Sequence, residues 1–244
     1  DASDIILLDD NFKSIIDAIH EGRVIIANIR RMLYYLLATN AGEALTMMGA
    51  LVVGMPLPLV PVQILWINLV TDTALVIPLG LEPGEKHIMK HPPKRPSAPI
   101  LSRFIITRMA MVALSMATMT LGIYHFYETQ YGHEYAQTLA FSALVVMQWS
   151  NAINARSDYQ SLLGRLRVWN SSFYVGLFIA VFLQTMAIFG PLQTILHIHP
   201  VAIGDLFMTG VIAFVVPVIL VEIHKFIGRR RHMINAPAQQ IESA

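Results

Sequence analysis

Asn68, Thr71 and Asp72 stand at i, i+3 and i+4 within an otherwise apolar run from Ile64 to Asp72. On a helix that spacing puts all three oxygen-bearing side chains on one face. Upstream, in the apolar segment 34–53, Asn40 and Glu43 repeat the i, i+3 spacing. A carboxylate at bilayer depth costs about 2.5–3.5 kcal/mol on insertion scales, so two of them in adjacent spans call for compensation. A dehydrated cation shared between the two helices supplies it. The donors are two carboxamides, two carboxylates and a hydroxyl, which suit the hard cations Ca²⁺, Na⁺, K⁺ or Mg²⁺ and not copper or zinc. Two negative charges balance one divalent ion or two monovalent ones and do not choose between them. The competing account is that these groups join helices through hydrogen bonds worth about 0.6–2 kcal/mol each in membranes. That account suits any one amide better than it suits five groups that include two carboxylates.

Positioning such groups requires membrane-spanning helices, and the composition demands them independently. The chain has 244 residues, 55% hydrophobic and 14% charged, against about 25% charged in a typical soluble domain. A net charge of +1, with no basic stripe, argues against nucleic acid as a partner. The absence of cysteine excludes disulfides and thiolate ligands. The chain starts at Asp1, without methionine or a signal-peptide pattern, from which a piece of a longer product, or a trimmed one, is expected.

Six segments approach the roughly 20 apolar residues that a bilayer requires: 32–53, 61–81, 103–126, 136–155, 171–190 and 205–226. The predicted fold is therefore all-α, a polytopic membrane bundle of six transmembrane helices. The third segment carries Arg103 and Arg108 at its start, and the fourth is interrupted by Gln148, Asn151 and Asn154. A helix is expected from about Phe12, with Asp10 or Asn11 as N-cap. Run unbroken to Val53, it is about 63 Å long at 1.5 Å per residue, a stalk (13–31) leading into the membrane domain (32–226). Ile5 to Leu8 reads as a strand of a soluble domain ending near residue 12, and 227–244 as a tail. Pro78 can free backbone carbonyls by interrupting the helical ladder.

With the amino terminus placed in the cytoplasm, all 17 Lys and Arg fall on the cytoplasmic side, and the loops 54–60, 127–135 and 191–204 contain none. This split follows the positive-inside rule and puts both termini in the cytoplasm. Short outer loops are compatible with a bacterial inner (plasma) membrane. His197 and His199 form a His-x-His on an outer loop, which reads as solvated because further ligands are missing. Gln148, Asn151 and Asn154 share a face, where helix–helix hydrogen bonding competes with ion ligation. Arg229 to Arg231 reads as a topology anchor.

Asn40-Ala41-Gly42-Glu43, followed by Pro58 through Asp72, resembles the fifth and sixth transmembrane helices of P-type cation ATPases, nearest the calcium-pump branch. The likeness continues through Leu81-Glu82-Pro83, Ile88-Met89 and Pro92-Pro93, and back to residues 2–12, similar to the end of the family's phosphorylation domain. It implies that the six spans are helices five to ten, that the long first helix is a force-carrying stalk, and that Asn40, Glu43, Asn68, Thr71 and Asp72 are metal ligands. Gln148 stands where reticulum-type calcium pumps have glutamate, so it is a weaker candidate ligand. Thr73 and Leu75 replace the glycine and proline that usually follow the aspartate, which shifts the expected helix break toward Pro78.

The transported substrate implied is a hard cation, Ca²⁺ foremost. The Asp-Lys-Thr-Gly-Thr phosphorylation motif, the nucleotide domain and the fourth helix of the family do not occur in these residues. ATP and Mg²⁺ would therefore act only through amino-terminal pump domains as partners, alongside the lipid bilayer. The expectation is the carboxy-terminal membrane domain of an ATP-driven pump that alone neither hydrolyses ATP nor pumps. The alternatives are a truncated, non-catalytic module that binds a cation or a full-length pump, and a channel or secondary transporter, against which the lack of an inverted repeat counts.

Overall fold

The computed structural model describes residues 12–85, 88–90, 99–158 and 160–241, with side chains, Lys90 excepted, as far as residue 229. The strand and N-cap expected within residues 1–11 lie outside the described residues. Helix α1 (Phe12–Val53) runs unbroken for 42 residues. It contains no proline. Its buried Gly42 lets α1 approach the helix Arg103–Tyr131 closely, since a Cβ there would meet Met116 Sδ at 2.9 Å.

The second span is composite. Helix α2 (Pro61–Trp66) begins with proline at its first turn, where no donor is lost, and the Val60 N–H is taken by Gln63 Oε1 at 3.2 Å. A π-helical turn (Ile67–Asp72) follows, then α3 (Thr73–Gly80). The irregularity thus falls on the stretch bearing Asn68, Thr71 and Asp72, and not at Pro78, where α3 stays helical. Pro78 deprives the Ala74 carbonyl of its i+4 donor. Gly176 fits against that carbonyl so closely that a Cβ would stand 2.2 Å from it.

Helix α4 (Arg103–Tyr131) is capped by Ser102 and joined by the single residue Gly132, at φ +90°, to α5 (His133–Ala155). After the short α6 (Leu162–Leu166) come α7 (Ser171–Phe189), capped by Asn170, and α8 (Ile203–Ile241). Among the described residues, five helical stretches are long and apolar enough to cross a membrane: α1, Pro61–Gly80, α4, α7 and the Ile203–Arg229 part of α8. The fourth expected span corresponds to α5, about 34 Å long at 1.5 Å per residue but more polar. The reason is its position: 17 of its 23 residues are buried, packed among α1, α3, α4 and α8. A helix enclosed by protein need not match lipid. Large apolar side chains such as Leu69, Ile77, Phe178 and Phe207 are exposed on the outer helices instead.

At the end of the bundle where α3 and α5 finish and α4 and α7 begin, ionic groups gather. Arg108, fully buried, donates to the carbonyl oxygen and Oδ1 of Asp158, both at 3.2 Å, and lies 4.2 Å from the Tyr34 ring centre. Arg30 pairs with the same Asp158 at 3.6 Å, and Arg31 with Glu85 at 3.1 Å. Burial pulls the pKa of Arg165 below the usual guanidinium range, and the Glu82 carboxylate beside it opposes that shift.

Candidate cation site

Two helices position the carboxylates. On α1, Tyr35, Thr39 and Glu43 recur every four residues and share a face; Thr39 satisfies its hydroxyl on the Tyr35 and Leu36 carbonyls. On the facing π turn, the wider i+5 hydrogen-bonding pattern presents Thr71 and Asp72 to the interior, where they are 1% and 2% exposed. Insertions of this kind concentrate at functional sites.

Glu43 accepts one hydrogen bond at each carboxylate oxygen: Asn68 Nδ2 to Oε2 at 2.8 Å and Gln148 Nε2 to Oε1 at 2.7 Å. Asn68 Nδ2 is shared with the Ile64 carbonyl at 3.0 Å. Asp72 Oδ1 accepts from the Tyr35 hydroxyl at 2.9 Å. Tyr35 lies within coulombic reach of both Asp72 and Glu43, and the two carboxylates lie within reach of each other. Asp72 Oδ2 and Gln148 Oε1 are buried acceptors with no hydrogen-bond partner among the described residues. Buried acceptors without donors are costly, and a hard cation is one group able to satisfy oxygen acceptors of this kind.

Of the residues singled out in the sequence, Glu43, Asn68, Asp72 and Gln148 come together from three helices, and Thr71 is buried on the same turn as Asp72. Asn40 does not join them: it is exposed, its amide donating to the Leu36 carbonyl at 2.8 Å. The other amides of α5 serve helix packing. Asn151 Oδ1 accepts from the Tyr34 hydroxyl at 2.8 Å, and Asn154 Nδ2 donates to the Ser150 carbonyl at 3.1 Å. Tyr35 was missed by motif reading, although its four-residue spacing from Thr39 and Glu43 carried the signal.

At the end of the bundle where α4 gives way to α5, the His199 ring lies 3.3 Å from the Glu134 carboxylate, and a cavity of about 320 Å³ is bordered by His133, Glu134, His197 and His199. Among the described residues, no three His, Asp or Glu side chains gather as a metal centre.

The family model described as "Cation transporting ATPase, C-terminus" matches residues 56–227. A "Calcium-transporting ATPase" of Bacillus subtilis (strain 168) is 36% identical over 210 residues, covering 84% of this chain and 23% of the relative. A "Calcium-transporting ATPase" of Plasmodium falciparum (isolate K1 / Thailand) is 30% identical over 277 residues, covering 95% of this chain and 22% of the relative. The chain thus spans under a quarter of the length of these relatives. With the family model matching well over half of its residues, and five helical stretches among the described residues long and apolar enough to cross a membrane, this chain belongs to the cation-transporting P-type ATPases as a C-terminal membrane region.

Proposed function

We propose that this chain provides the ion-carrying membrane part of an ATP-driven Ca²⁺ pump, with Glu43, Asn68, Thr71, Asp72 and Gln148 as cation ligands. The observation that carries the reading is a pair of buried carboxylates, Glu43 and Asp72, on adjacent helices, the first held by the Asn68 and Gln148 amides and the second by the Tyr35 hydroxyl. The relatives named as calcium-transporting ATPases support the choice of ion. So does chemistry: Ca²⁺ takes six to eight oxygens in flexible geometry, whereas Mg²⁺ demands a near-ideal octahedron and keeps its waters.

The side chains divide the work. The carboxylates supply the charge that balances a divalent ion. Asn68 and Gln148 hold that charge by N–H donation, and a half-turn of each terminal amide brings its oxygen to a cation in place of its nitrogen. Tyr35 fixes the Asp72 rotamer. The π turn leaves carbonyls free of regular α-helical pairing and so adds potential backbone ligands. Asn40, on the uncovered side of α1, becomes a ligand only where a further helix closes over it. ATP and Mg²⁺ act through cytosolic domains joined to this chain, the stalk segment 13–31 links those domains to the membrane domain 32–226, and 227–244 forms a cytosolic tail. The distribution of Lys and Arg favours cytoplasmic termini, and the short outer loops suit a bacterial plasma membrane.

The test is Ca²⁺ binding by the purified full-length protein that contains this chain. Asp72→Asn abolishes binding, while Thr73→Ala, on the exposed side of the same helix, leaves it intact. An Asp72→Asn protein that binds Ca²⁺ like the wild type refutes the assignment.

A further inference from the structure

Glu82 lies just beyond α3, fully buried, and its side-chain hydrogen-bond and ion-pair partners among the described residues include none of the ligand candidates. Its carboxylate is surrounded by donors from three other segments. Arg156, at the end of α5, places Nε 3.0 and 3.2 Å from the two oxygens, with a second nitrogen 2.9 Å from Oε1. Arg165 of α6 donates to Oε1 at 3.0 Å through Nε and comes within 2.9 Å through its terminal nitrogen. Asn170, the cap of α7, donates to Oε2 at 2.6 Å. Both arginines also hold main chain, Arg156 on the Val168 carbonyl and Arg165 on the Pro83 carbonyl, each at 2.8 Å. On the other side, Asn28 of α1 donates to the Glu82 carbonyl at 2.9 Å and to the Gly80 carbonyl at 3.0 Å.

We infer that Glu82 is a positioning residue for the cation site, a pin that joins α1, α3, α5 and α7 and thereby sets where Glu43, Asp72 and Gln148 meet. The inference rests on the reading of those three as cation ligands. Asn28 precedes Glu43 by fifteen residues, about 22 Å along α1, and Gln148 precedes Arg156 by eight, about 12 Å along α5. Asp72 precedes Glu82 by ten residues of the same span. The three helices that bring the ligands together are thus tied at one level, two or more turns from the site. Metal sites tolerate only about 0.2 Å of error in ligand distance, so axial slippage between α1, α3 and α5 is felt at the ion. A carboxylate is required because it alone neutralises guanidinium groups from two segments while bonding both. A neutral amide keeps the size and loses the attraction.

The experiment compares Ca²⁺ affinity, by titration calorimetry, with the thermal midpoint of the full-length protein. The variants are Glu82→Gln, Asn170→Ser, the pair Glu82→Gln with Arg165→Gln, and Asp72→Asn. Asn170→Ser keeps a capping oxygen for α7 and removes only the bond to Glu82. Glu82→Gln is expected to weaken Ca²⁺ binding about tenfold, or 1.4 kcal/mol, and Asn170→Ser about threefold. The paired variant recovers the midpoint, having fewer unmatched charges, but not the affinity. A folded Glu82→Gln protein with wild-type affinity overturns the pin, and so does a paired variant that recovers affinity together with midpoint. If Glu82→Gln does not fold, Asn170→Ser decides on affinity alone, wild-type affinity overturning the pin. Asp72→Asn separates the two claims: lost binding there with intact binding in Glu82→Gln sinks the pin and spares the site, whereas intact binding in Asp72→Asn sinks the site itself.

Discussion

Replacing Gly176 by alanine puts a methyl group where α7 meets the backbone of α3. The added Cβ would stand 2.2 Å from the Ala74 oxygen and 2.7 Å from Pro78 Cγ. Real Cβ atoms stay at least 3.0 Å from such neighbours, so α7 must withdraw by 3.0 − 2.2, or about 0.8 Å. Neither obstacle can yield by rotating a side chain, since one is a main-chain carbonyl and the other a ring. Overpacking typically costs about 1–3 kcal/mol, and a rigid obstacle argues for the upper half of that range. Alanine returns about 1 kcal/mol through its better helix propensity. The net loss is then about 1–2 kcal/mol, or roughly 2–8 °C in thermal midpoint for a domain of this size. Gly122→Ala is the internal control. It lies in α4, where an added methyl group would find nothing within 4 Å, so it gains the propensity term without the clash. Melting both variants in mild detergent gives the comparison. A Gly176→Ala midpoint equal to or above that of Gly122→Ala would refute the argument that α7 seats on the Ala74 carbonyl.

Three further outcomes are expected. Gln148→Glu adds a third carboxylate beside Glu43 and lowers the Kd for Ca²⁺ about tenfold; an isotherm that does not move places residue 148 outside the coordination shell. Tyr35→Phe removes the donor on Asp72 Oδ1, a hydrogen bond to a charged group worth about 1.5–3 kcal/mol, so the midpoint falls without Ca²⁺, and the loosened Asp72 binds Ca²⁺ less tightly, so added Ca²⁺ raises the midpoint by less than in the wild type; equal or larger Ca²⁺ protection of the variant counts against Tyr35 as a holder of the ligand. Gly132→Ala strains a residue at φ +90° by about 1–2 kcal/mol and lowers the midpoint without changing Ca²⁺ affinity, which titration and melting check together.

The helices were legible because lipid imposes a length and a composition that show in any window of residues. The second span was expected at 61–81 and is Pro61–Gly80, and the fifth was expected at 171–190 and is Ser171–Phe189. Ends facing water were harder, since α4 and α8 continue past the apolar stretch to Tyr131 and Ile241. The carboxylate pair was legible because a charge in an apolar run has few explanations. The π turn was not: Ile67 to Asp72 contains no glycine or proline, so the local code pointed instead to Pro78, which α3 absorbs with the Ala74 carbonyl packed against Gly176. The ion pairs of Glu82 link residues 74 and 83 apart, and spacing statistics carry no trace of partners so distant. Asn40 shows the opposite limit, a residue with the expected i, i+3 spacing whose amide the structure turns to its own helix.

The single-residue joint at Gly132 bears on how this chain enters a bilayer during synthesis. Helix α5 is too rich in amides and hydroxyls to partition into lipid unaided, because each such group left without a partner there costs several kcal/mol. Its predecessor α4 is apolar enough to insert, and the joint leaves no slack for α5 to wait in water at a distance. The two are therefore expected to enter as a hairpin, and α5 keeps one flank uncovered until α8 packs along it. A ribosome stalled before residue 203 would leave that flank open to quality-control proteases.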